Sequence, residues 1–301
     1  MNSSLPYRHV TRIRSANSTK RHSSTASLSP EIFKNPQSAE QVLSFSATQL
    51  EAANKRPRGD VFPWLKGLPE VHITPTLTRT SCIQTDSTQG RANSGKSSLF
   101  NAVLGRKDLI KTSSKAGKTR RLDFFRVGAA PGKLILVDSP GYGDRGRPEW
   151  GQLFDSYVQN RKKLRRVYIT FNAKHPINDR DQQMLAHLTQ TLFKTLSTEW
   201  ASSLQSGNPR LPRITHIQPV ITKADHLPSN PADARLIVDR FKREIQDAVK
   251  NSLADSDSGR IGVPSAQLAK LMCLSPLVTT LRLSPPFGIG DIRRNIVEAC
   301  T

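Results

Sequence analysis

The chain has 301 residues, of which 36% are hydrophobic and 23% charged, and its formal net charge at pH 7 is +21. This length accommodates one or two domains with a sizeable core. No apolar run approaches the ~20 residues that cross a bilayer, which argues against a membrane span. The three cysteines lie far apart without a CxxC motif, which argues against a structural zinc site and a disulfide framework.

Most of the positive charge lies outside the amino-terminal tail. Residues 1–60 hold nine Lys/Arg and four Asp/Glu, a net of +5, and the remaining +16 belongs to residues 61–301. A basic domain suits a polyanionic partner such as RNA or a ribosomal surface, and a solvated basic surface is the alternative.

The amino-terminal segment has the composition of an organellar transit peptide. Residues 1–30 contain eight serines, several arginines and no Asp or Glu, and Tyr7, Val10 and Ile13 recur every third residue. Because amphipathic, Arg-rich and acid-poor segments are typical of mitochondrial import signals, we predict a transit peptide over 1–30, with a disordered basic tail as the alternative. Residues 31–67 are predicted to be a linker, with a weak helix over 38–54.

Residues 69–89 begin as a strand and then become polar. Val71 suits a buried strand, but Pro75 and a Thr/Ser-rich run follow as far as Gln89. Either residues 71–74 form a short strand with a long loop behind it, or the strand has been lost.

The next nine residues contain G-x-x-x-x-G-K-[ST], the phosphate-binding loop of P-loop NTPases, in their first eight positions. They are Gly90, Arg91, Ala92, Asn93, Ser94, Gly95, Lys96, Ser97 and Ser98. The glycines let backbone N–H groups form an anion nest, and the apolar spacing of residues 99–104 predicts a helix whose positive end adds to it. Lys96 would reach the β- and γ-phosphates, and the Ser97 hydroxyl would bind Mg²⁺.

A second motif for phosphate binding comes after residues 112–119, a Ser/Thr/Gly/Lys-rich stretch that is predicted to be a mobile loop. Strands are predicted over 122–127 and 134–137, and the latter ends in Asp138-Ser139-Pro140-Gly141, a D-x-x-G motif. A carboxylate at the carboxyl end of a parallel strand is where a ligand of Mg²⁺-bound water belongs, and the Gly141 N–H is free to meet a γ-phosphate.

The remainder alternates strands with helices. The patterns predict helices over 149–164, 179–196, 236–249 and 289–296, and strands over 167–171, 214–221 and 271–274. We therefore predict an α/β fold with a doubly wound, mostly parallel sheet and helices on both faces.

The motif Thr222-Lys223-Ala224-Asp225 indicates which base is bound. Asp225 can accept from both N1–H and the 2-amino group of guanine, a donor pair that adenine lacks, and the Lys223 stem can lie over the ring. The last base-contacting stretch is predicted at Leu274, Ser275 and Pro276. A P-loop ATPase or kinase is the alternative to a GTP-binding protein.

These motifs together resemble the EngB/YihA-type GTPases of the TRAFAC class, which act in assembly of the large ribosomal subunit. The resemblance spans roughly residues 68–298. The matching stretches are 90–102, Gly117-Lys118-Thr119 before an L-x-F-F strand, Asp138-Ser139-Pro140-Gly141-Tyr142-Gly143, Thr222-Lys223-Ala224-Asp225 and the closing segment 288–293.

The resemblance implies roles for single residues. Thr119 would be the switch threonine that binds Mg²⁺ with Ser97, while Asp138 acts through water; Lys96 and Thr119 would be catalytic. Tyr142 stands where Ras-like proteins carry a water-orienting glutamine, which implies slow intrinsic hydrolysis. Asn93 occupies the position that some relatives use to hold K⁺. Together with the predicted transit peptide, the resemblance implies a monomeric matrix protein of mitochondria whose partner is ribosomal RNA or a large-subunit precursor.

Two departures from the family pattern stand out. The family's first strand runs directly into Gly90, whereas 18 residues, His72–Gln89, stand between Val71 and Gly90 here. A mispredicted exon boundary would produce such an insertion, and sequencing the transcript tests that hypothesis. Pro276 also has no N–H to donate to guanine. A degenerate G domain that serves as a nucleotide-independent rRNA-binding scaffold is the alternative function.

Other polar residues have structural explanations. Asp179 and Asp181 are expected to begin a helix rather than to form an acid/base pair. His175 and His187 are predicted to lie on the surface. The basic run at 161–166 is expected to be a solvated face or a contact to rRNA phosphates.

Overall fold

A computed structural model describes residues 28–46, 49, 68–75, 95–107, 109–110, 121–129, 132–139, 148–161, 163–206, 212–254 and 263–301. The strands are β1 (Glu40–Ser46), β2 (Glu70–Pro75), β3 (Arg121–Val127), β4 (Leu134–Asp138), β5 (Leu164–Asn172), β6 (His216–Thr222) and β7 (Leu277–Val278). The α-helices are α1 (Lys96–Leu104), α2 (Pro148–Asn160), α3 (Asp179–Gln205), α4 (Pro231–Ala254), α5 (Ser265–Met272) and α6 (Ile289–Cys300). Short 3₁₀ helices cover Pro30–Phe33, Pro36–Ser38 and Ala224–His226. No helix in the described ranges is long and apolar enough to cross a membrane.

The strands form a single sheet in the order β1-β3-β4-β2-β5-β6-β7. The pairs from β4 across to β7 are parallel, whereas β1 and β4 each pair antiparallel with β3. The helices α1 and α6 cover one face, and α2, α3, α4 and α5 cover the other. The prediction of a doubly wound, mostly parallel α/β sheet is therefore confirmed.

The strand in doubt is present as β2, at the centre of the sheet. It pairs in parallel with β4 and with β5, and its last residue is Pro75, whose missing N–H ends the ladder. The first four residues of the predicted insertion, 72–75, are thus strand residues. Val71 and Ile73 face the α1 side and are fully buried, as the strand period of two requires.

Strand β1 corrects two predictions. The sequence was interpreted as a weak helix over 38–54 inside a linker over 31–67, whereas residues 40–46 pair with β3 at the sheet edge. Pairing with a buried neighbour outweighs local helix propensity, and Phe45 gains burial in the core. Phe33 is also buried, against the α1 side, so the folded unit begins well before residue 68.

The basic run at 161–166 also differs from its prediction. Arg161 is buried and donates from Nε to Glu70 Oε1 at 2.8 Å, and the hydroxyl of Tyr157 donates to Glu70 Oε2 at 3.0 Å. Arg166 is buried and donates to the carbonyl of Asn295 in α6 at 2.8 Å. These two arginines tie the start of β2 and β5 to the helices on either face. Removing one partner of such a buried pair costs about 3–5 kcal/mol.

The helix α3 begins where predicted and ends later. Asn178 caps it by accepting from the Asp181 N–H, and Asp181 reciprocates in a capping box, which confirms the structural explanation for Asp181. The helix continues to Gln205, beyond the predicted end at 196. His175 is exposed as predicted, but His187 is half-buried and its Nε2 lies 2.7 Å from Asp155 Oδ1 of α2.

Candidate functional site

The predicted phosphate-binding residues that the structure describes lie at the carboxyl edge of the parallel strands. Gly95 precedes α1 with φ +81°, a left-handed backbone that favours glycine, and Lys96, Ser97 and Ser98 form the first turn of the helix. The helix amino terminus therefore points its free N–H groups to this edge. The predictions for Gly90, Arg91, Ala92, Asn93 and Ser94 concern residues outside the described ranges.

Lys96 and Asp138 form a buried ion pair at this edge. Lys96 Nζ donates to Asp138 Oδ1, and both side chains are almost fully buried. Burial raises the pKa of the Asp138 carboxyl, and the positive charge of Lys96 offsets part of that rise. The two groups that the sequence assigned to phosphate and to the metal's water thus meet, although 42 residues separate them.

The described residues fit a Mg²⁺ site that a nucleotide completes. Asp138 offers a buried carboxylate at the end of β4, and Ser97 offers a hydroxyl in the first turn of α1. No cluster of three or more His, Cys, Asp or Glu in the described ranges is able to hold a metal by itself. Such a sparse set suits Mg²⁺, which keeps waters and takes phosphate oxygens as ligands. The further predicted ligand Thr119, with Gly117, Lys118 and Gly141, lies outside the described residues.

The base-recognition motif lies beside the phosphate loop. A Cβ placed on Gly95 would lie 3.5 Å from Thr222 Oγ1, so the two motifs are in contact. The Thr222 hydroxyl donates to the Phe171 carbonyl at 3.0 Å, which fixes the end of β6 against β5. Lys223 then has φ +55°, a left-handed conformation that costs a non-glycine residue about 1 kcal/mol. This turn directs the chain into the 3₁₀ helix that carries Asp225.

Asp225 is held by residues that follow β7. The Thr280 hydroxyl donates to Asp225 Oδ1 at 2.6 Å, and Arg282 Nε lies 3.4 Å from Oδ2. Burial acts to raise the pKa of Asp225, but the Thr280 hydrogen bond and the charges of His226 and Arg282 lower it overall. Asp225 is therefore a carboxylate acceptor at neutral pH, as guanine recognition requires.

Residues 274–276, predicted as the last base-contacting stretch, lie away from Asp225. The main chain at Leu274 bonds to Ile217, and Ser275 accepts from the Gln218 side chain, so residues 274–276 lie alongside the first half of β6. Of the predicted strand over 271–274, Leu271 and Met272 are the end of α5 and Cys273 forms only an isolated parallel bridge with Ile217, whereas the last strand is β7.

Thr279 and Thr280 occupy the position that was predicted for residues 274–276. The Ala224 N–H donates to the Thr279 carbonyl at 3.1 Å, and Thr280 contacts Asp225. The sequence feature that marks the stretch beside Asp225 is the pair Leu277-Val278 followed by two threonines. A two-residue strand is too short for periodicity to reveal it.

The end of this loop is fixed to β7. Thr279 Oγ1 donates to the Phe287 carbonyl at 2.8 Å, and Gly288 follows with φ +81° as the residue before α6. A Cβ at Gly288 would lie 2.1 Å from the Val278 carbonyl oxygen, so only glycine fits there. This packing explains the first glycine of the closing segment 288–293.

Comparison with known proteins gives consistent matches. A family model described as "50S ribosome-binding GTPase" matches residues 87–198. A protein named "Probable GTP-binding protein EngB" from Rhizobium meliloti is 33% identical over 179 residues, which cover 54% of this chain and 81% of that protein. Its namesake from Streptococcus equi subsp. equi is 38% identical over 160 residues, covering 50% and 68% respectively.

Solved structures with the same fold include Toc33 from Arabidopsis thaliana. A dimerization-deficient mutant of Toc33 matches with a TM-score of 0.52 at 13% identity, covering 85% of this chain and 93% of that one. Toc33 in complex with GDP and Mg²⁺ matches with a TM-score of 0.50 at 13% identity, covering 78% and 86%. At this identity the likeness concerns the fold alone.

Proposed function

Because the chain belongs to the EngB family of GTP-binding proteins and is a GTPase of that type, we propose that it hydrolyses GTP slowly in mitochondria and assists assembly of the mitochondrial large ribosomal subunit. The observation that carries the proposal is that the Lys96–Asp138 pair and Asp225 lie at the same edge of the sheet, where the parallel strands β4 and β6 end. They are the groups that a guanine nucleotide needs for its phosphates, its metal and its base.

Each described residue has a distinct task in this proposal. Lys96 neutralises the β- and γ-phosphates, and the amino terminus of α1 adds its N–H groups. Asp225 accepts from the guanine edge, and Thr280 holds that carboxylate in place. Mg²⁺, when bound by Ser97 and through water by Asp138, supplies positive charge for the phosphate oxygens.

Slow hydrolysis follows from the position after Gly141. Tyr142 stands there and has no amide to orient an attacking water, so the intrinsic rate is low and help comes from a partner or a bound cation. We propose K⁺ near Asn93 as that cation. Residues 111–119 and 138–147 would be the switch segments, ordered by GTP and released by GDP.

Charge and the family description support a ribosomal partner. The matching family model is described as a ribosome-binding GTPase, and residues 61–301 carry +16 of the net charge. A basic domain of this kind is attracted to ribosomal RNA. The acid-poor, Arg- and Ser-rich composition of residues 1–30 supports import into the mitochondrial matrix. We propose that the protein acts there as a monomer.

The scaffold alternative is not favoured. A degenerate G domain would have lost its first strand, whereas β2 pairs on both sides and the Lys96, Asp138 and Asp225 side chains are all retained.

A titration with fluorescent GDP and ATP as competitor tests nucleotide binding by the full chain. We expect GDP to bind and ATP to compete poorly, and Lys96→Ala to lower GDP affinity by at least about 100-fold because the buried phosphates lose their cation. Equal affinity of the variant would refute the role of Lys96. Lys133→Ala is the matched control, since Lys133 is exposed and precedes β4, at the edge of the sheet opposite the nucleotide site.

The proposed location and partner need separate tests. Import of the full chain into isolated mitochondria, with loss of residues 1–30 as the readout, tests the location. Sedimentation with mitochondrial large subunits in the presence of a non-hydrolysable GTP analogue or GDP tests the partner. Failure to co-sediment in both states would leave a GTPase with another task.

A further inference from the structure

A second carboxylate lies beside Asp138 on the face of the sheet that α1 covers. Asp123 of β3 stands directly opposite Asp138 of β4 in the antiparallel pairing of these strands. Residues paired in this way carry their side chains on the same face of a sheet. Phe125 and Leu136, paired two residues further along, both pack in the core on the α1 side. By the strand period of two, Asp123 and Asp138 therefore point to the side where Lys96 begins α1.

Strand β1 fixes the orientation of Asp123. Gln41 Nε2 donates to Asp123 Oδ1 at 3.0 Å, across 82 residues of sequence. Gln41 is held in place because β1 pairs with β3 along its length. A hydrogen bond to a carboxylate is among the stronger ones in proteins, so it keeps the half-buried Asp123 side chain from rotating into solvent. The amide is uncharged, so Gln41 orients Asp123 without neutralising it.

The charges at this part of the sheet do not balance. Lys96 pairs with Asp138 and neutralises one of the two carboxylates. Burial is the largest cause of the raised pKa of Asp138, and the negative charge of Asp123 adds to the rise. The two carboxylates are therefore close enough to repel each other, and a cation at this edge relieves the repulsion.

We propose that Asp123 attracts the Mg²⁺ that accompanies the nucleotide, and that Gln41 of β1 holds Asp123 in the orientation for this task. A carboxylate near a hydrated Mg²⁺ favours it through its charge and by accepting from metal-bound water. Two carboxylates beside a phosphate site repel the nucleotide unless a divalent cation stands between them. The inference rests on the guanine nucleotide and Mg²⁺ of the proposed function.

This assignment makes β1 part of the nucleotide site. Residues 40–46 precede the stretch that the family model matches, which begins at residue 87. They nevertheless reach the metal edge of the sheet through the Gln41–Asp123 hydrogen bond. The segment before the phosphate loop thereby influences how strongly the metal is held.

The test measures GDP affinity of the full chain at a series of Mg²⁺ concentrations and in EDTA. The variants are Asp123→Asn, which removes the charge and keeps the shape, and Gln41→Ala, which removes the hydrogen bond and keeps the charge. The control is Glu40→Gln, which removes an equal charge from β1 where it pairs with Arg126, further from the metal edge. Urea unfolding shows that every variant is folded.

We expect Asp123→Asn to raise the Mg²⁺ concentration that half-saturates the gain in GDP affinity by about fivefold, because the site loses one negative charge. In EDTA the same variant should bind GDP about twofold more tightly, because a charge that repels the phosphates is gone. Gln41→Ala should raise the Mg²⁺ requirement by about twofold, since Asp123 keeps its charge and loses its orientation. Glu40→Gln should change neither value.

Two results would overturn the assignment of Asp123. One is an unchanged Mg²⁺ requirement in Asp123→Asn. The other is an equal loss of GDP affinity with Mg²⁺ and in EDTA, which is the result of a purely structural role. An unchanged Mg²⁺ requirement in Gln41→Ala would overturn the part assigned to β1.

Failure of this inference is distinguishable from failure of the proposed function. A wild-type chain whose GDP affinity depends on Mg²⁺, with the same dependence in Asp123→Asn, would overturn the inference and leave the proposed function standing. A wild-type chain that binds no guanine nucleotide at any Mg²⁺ concentration would overturn the proposed function and the inference together.

Discussion

The hydroxyl of Thr280 donates a hydrogen bond of 2.6 Å to Oδ1 of Asp225, across 55 residues of sequence. This contact joins the motif that selects guanine to the loop behind β7. It keeps one carboxylate oxygen oriented while Arg282 approaches the other at 3.4 Å. Asp225 is therefore oriented by residues that follow the last strand of the sheet, as well as by His226 of its own segment, whose Nε2 lies 3.7 Å from Oδ2.

Loss of this hydrogen bond is expected to weaken guanine binding. Thr280→Val keeps the shape of the side chain and removes the donor, so Asp225 becomes free to rotate. We expect GDP affinity to fall about tenfold, which corresponds to one hydrogen bond to a charged group. Ser275→Ala is the matched control and should leave GDP affinity unchanged. If Ser275→Ala has the larger effect, the base-contacting stretch is at 274–276 after all.

Exchange of the carboxylate itself is expected to change the base that binds. Asp225→Asn replaces an acceptor with an amide donor, which matches the carbonyl that xanthine carries in place of the guanine 2-amino group. Competition binding should show GDP affinity falling by at least about 100-fold and XDP affinity rising. Asp233→Asn, in the first turn of α4, is the control. A retained preference for GDP would show that Asp225 does not contact the base.

A buried histidine in the central strand is expected to limit stability. His72 is fully buried in β2 against Phe154 and Tyr157, and neither ring nitrogen has a hydrogen-bond partner among the described residues. His72→Leu has a similar volume and removes the unsatisfied donor. We expect the free energy of unfolding at pH 7.5, measured with urea, to rise by about 1–3 kcal/mol. A decrease would show that the imidazole has a partner.

The same histidine predicts a pH dependence. Burial, followed by the charge of Lys96, lowers the pKa of His72 to about 3, compared with 6.5 in the unfolded chain. Between these values the unfolded state binds the proton and the folded state does not, so the free energy of unfolding decreases as the pH is lowered. The slope is about 1.4 kcal/mol per pH unit below the unfolded pKa.

Comparison of variants isolates this pH effect. The advantage of His72→Leu over the wild type should grow by about 2 kcal/mol between pH 7.5 and pH 5, because only the wild type can protonate at this position when unfolded. His175→Gln, at an exposed position, should follow the wild type. A constant difference between His72→Leu and the wild type across this range would contradict the assignment.

Shortening the segment between β2 and the phosphate loop is expected to strengthen nucleotide binding. Deletion of residues 75–89 joins Thr74 directly to Gly90 and leaves the β2 pairing from Glu70 to Thr74 in place. A phosphate loop that follows β2 directly has less conformational entropy to lose when it binds the phosphates of the nucleotide. We expect GDP affinity to rise several-fold. Unchanged or weaker GDP binding by the deletion variant would show that the insertion does not lower nucleotide affinity.

Short-range patterns in the sequence were sufficient for most of the fold and part of the site. The run that became β4 is continuously apolar because both faces are buried, and it was predicted to within one residue. The predictions over 167–171 and 236–249 cover the central parts of β5 and α4, which extend further at both ends. Lys96, Asp138 and Asp225 were identified because each belongs to a local motif whose spacing reflects its chemistry.

Only the tertiary structure decided which distant residues complete those motifs. Strand β1 has little pattern of its own and exists because β3 offers it an unpaired edge. Arg161 and Arg166 were predicted as surface charge, whereas Glu70 and the Asn295 carbonyl hold them in the core. Thr280 meets Asp225 because β7 pairs with β6, and a two-residue strand has no periodicity to read. Local spacing determines chemistry along the chain, but pairing between strands determines which side chains meet at the edge of the sheet.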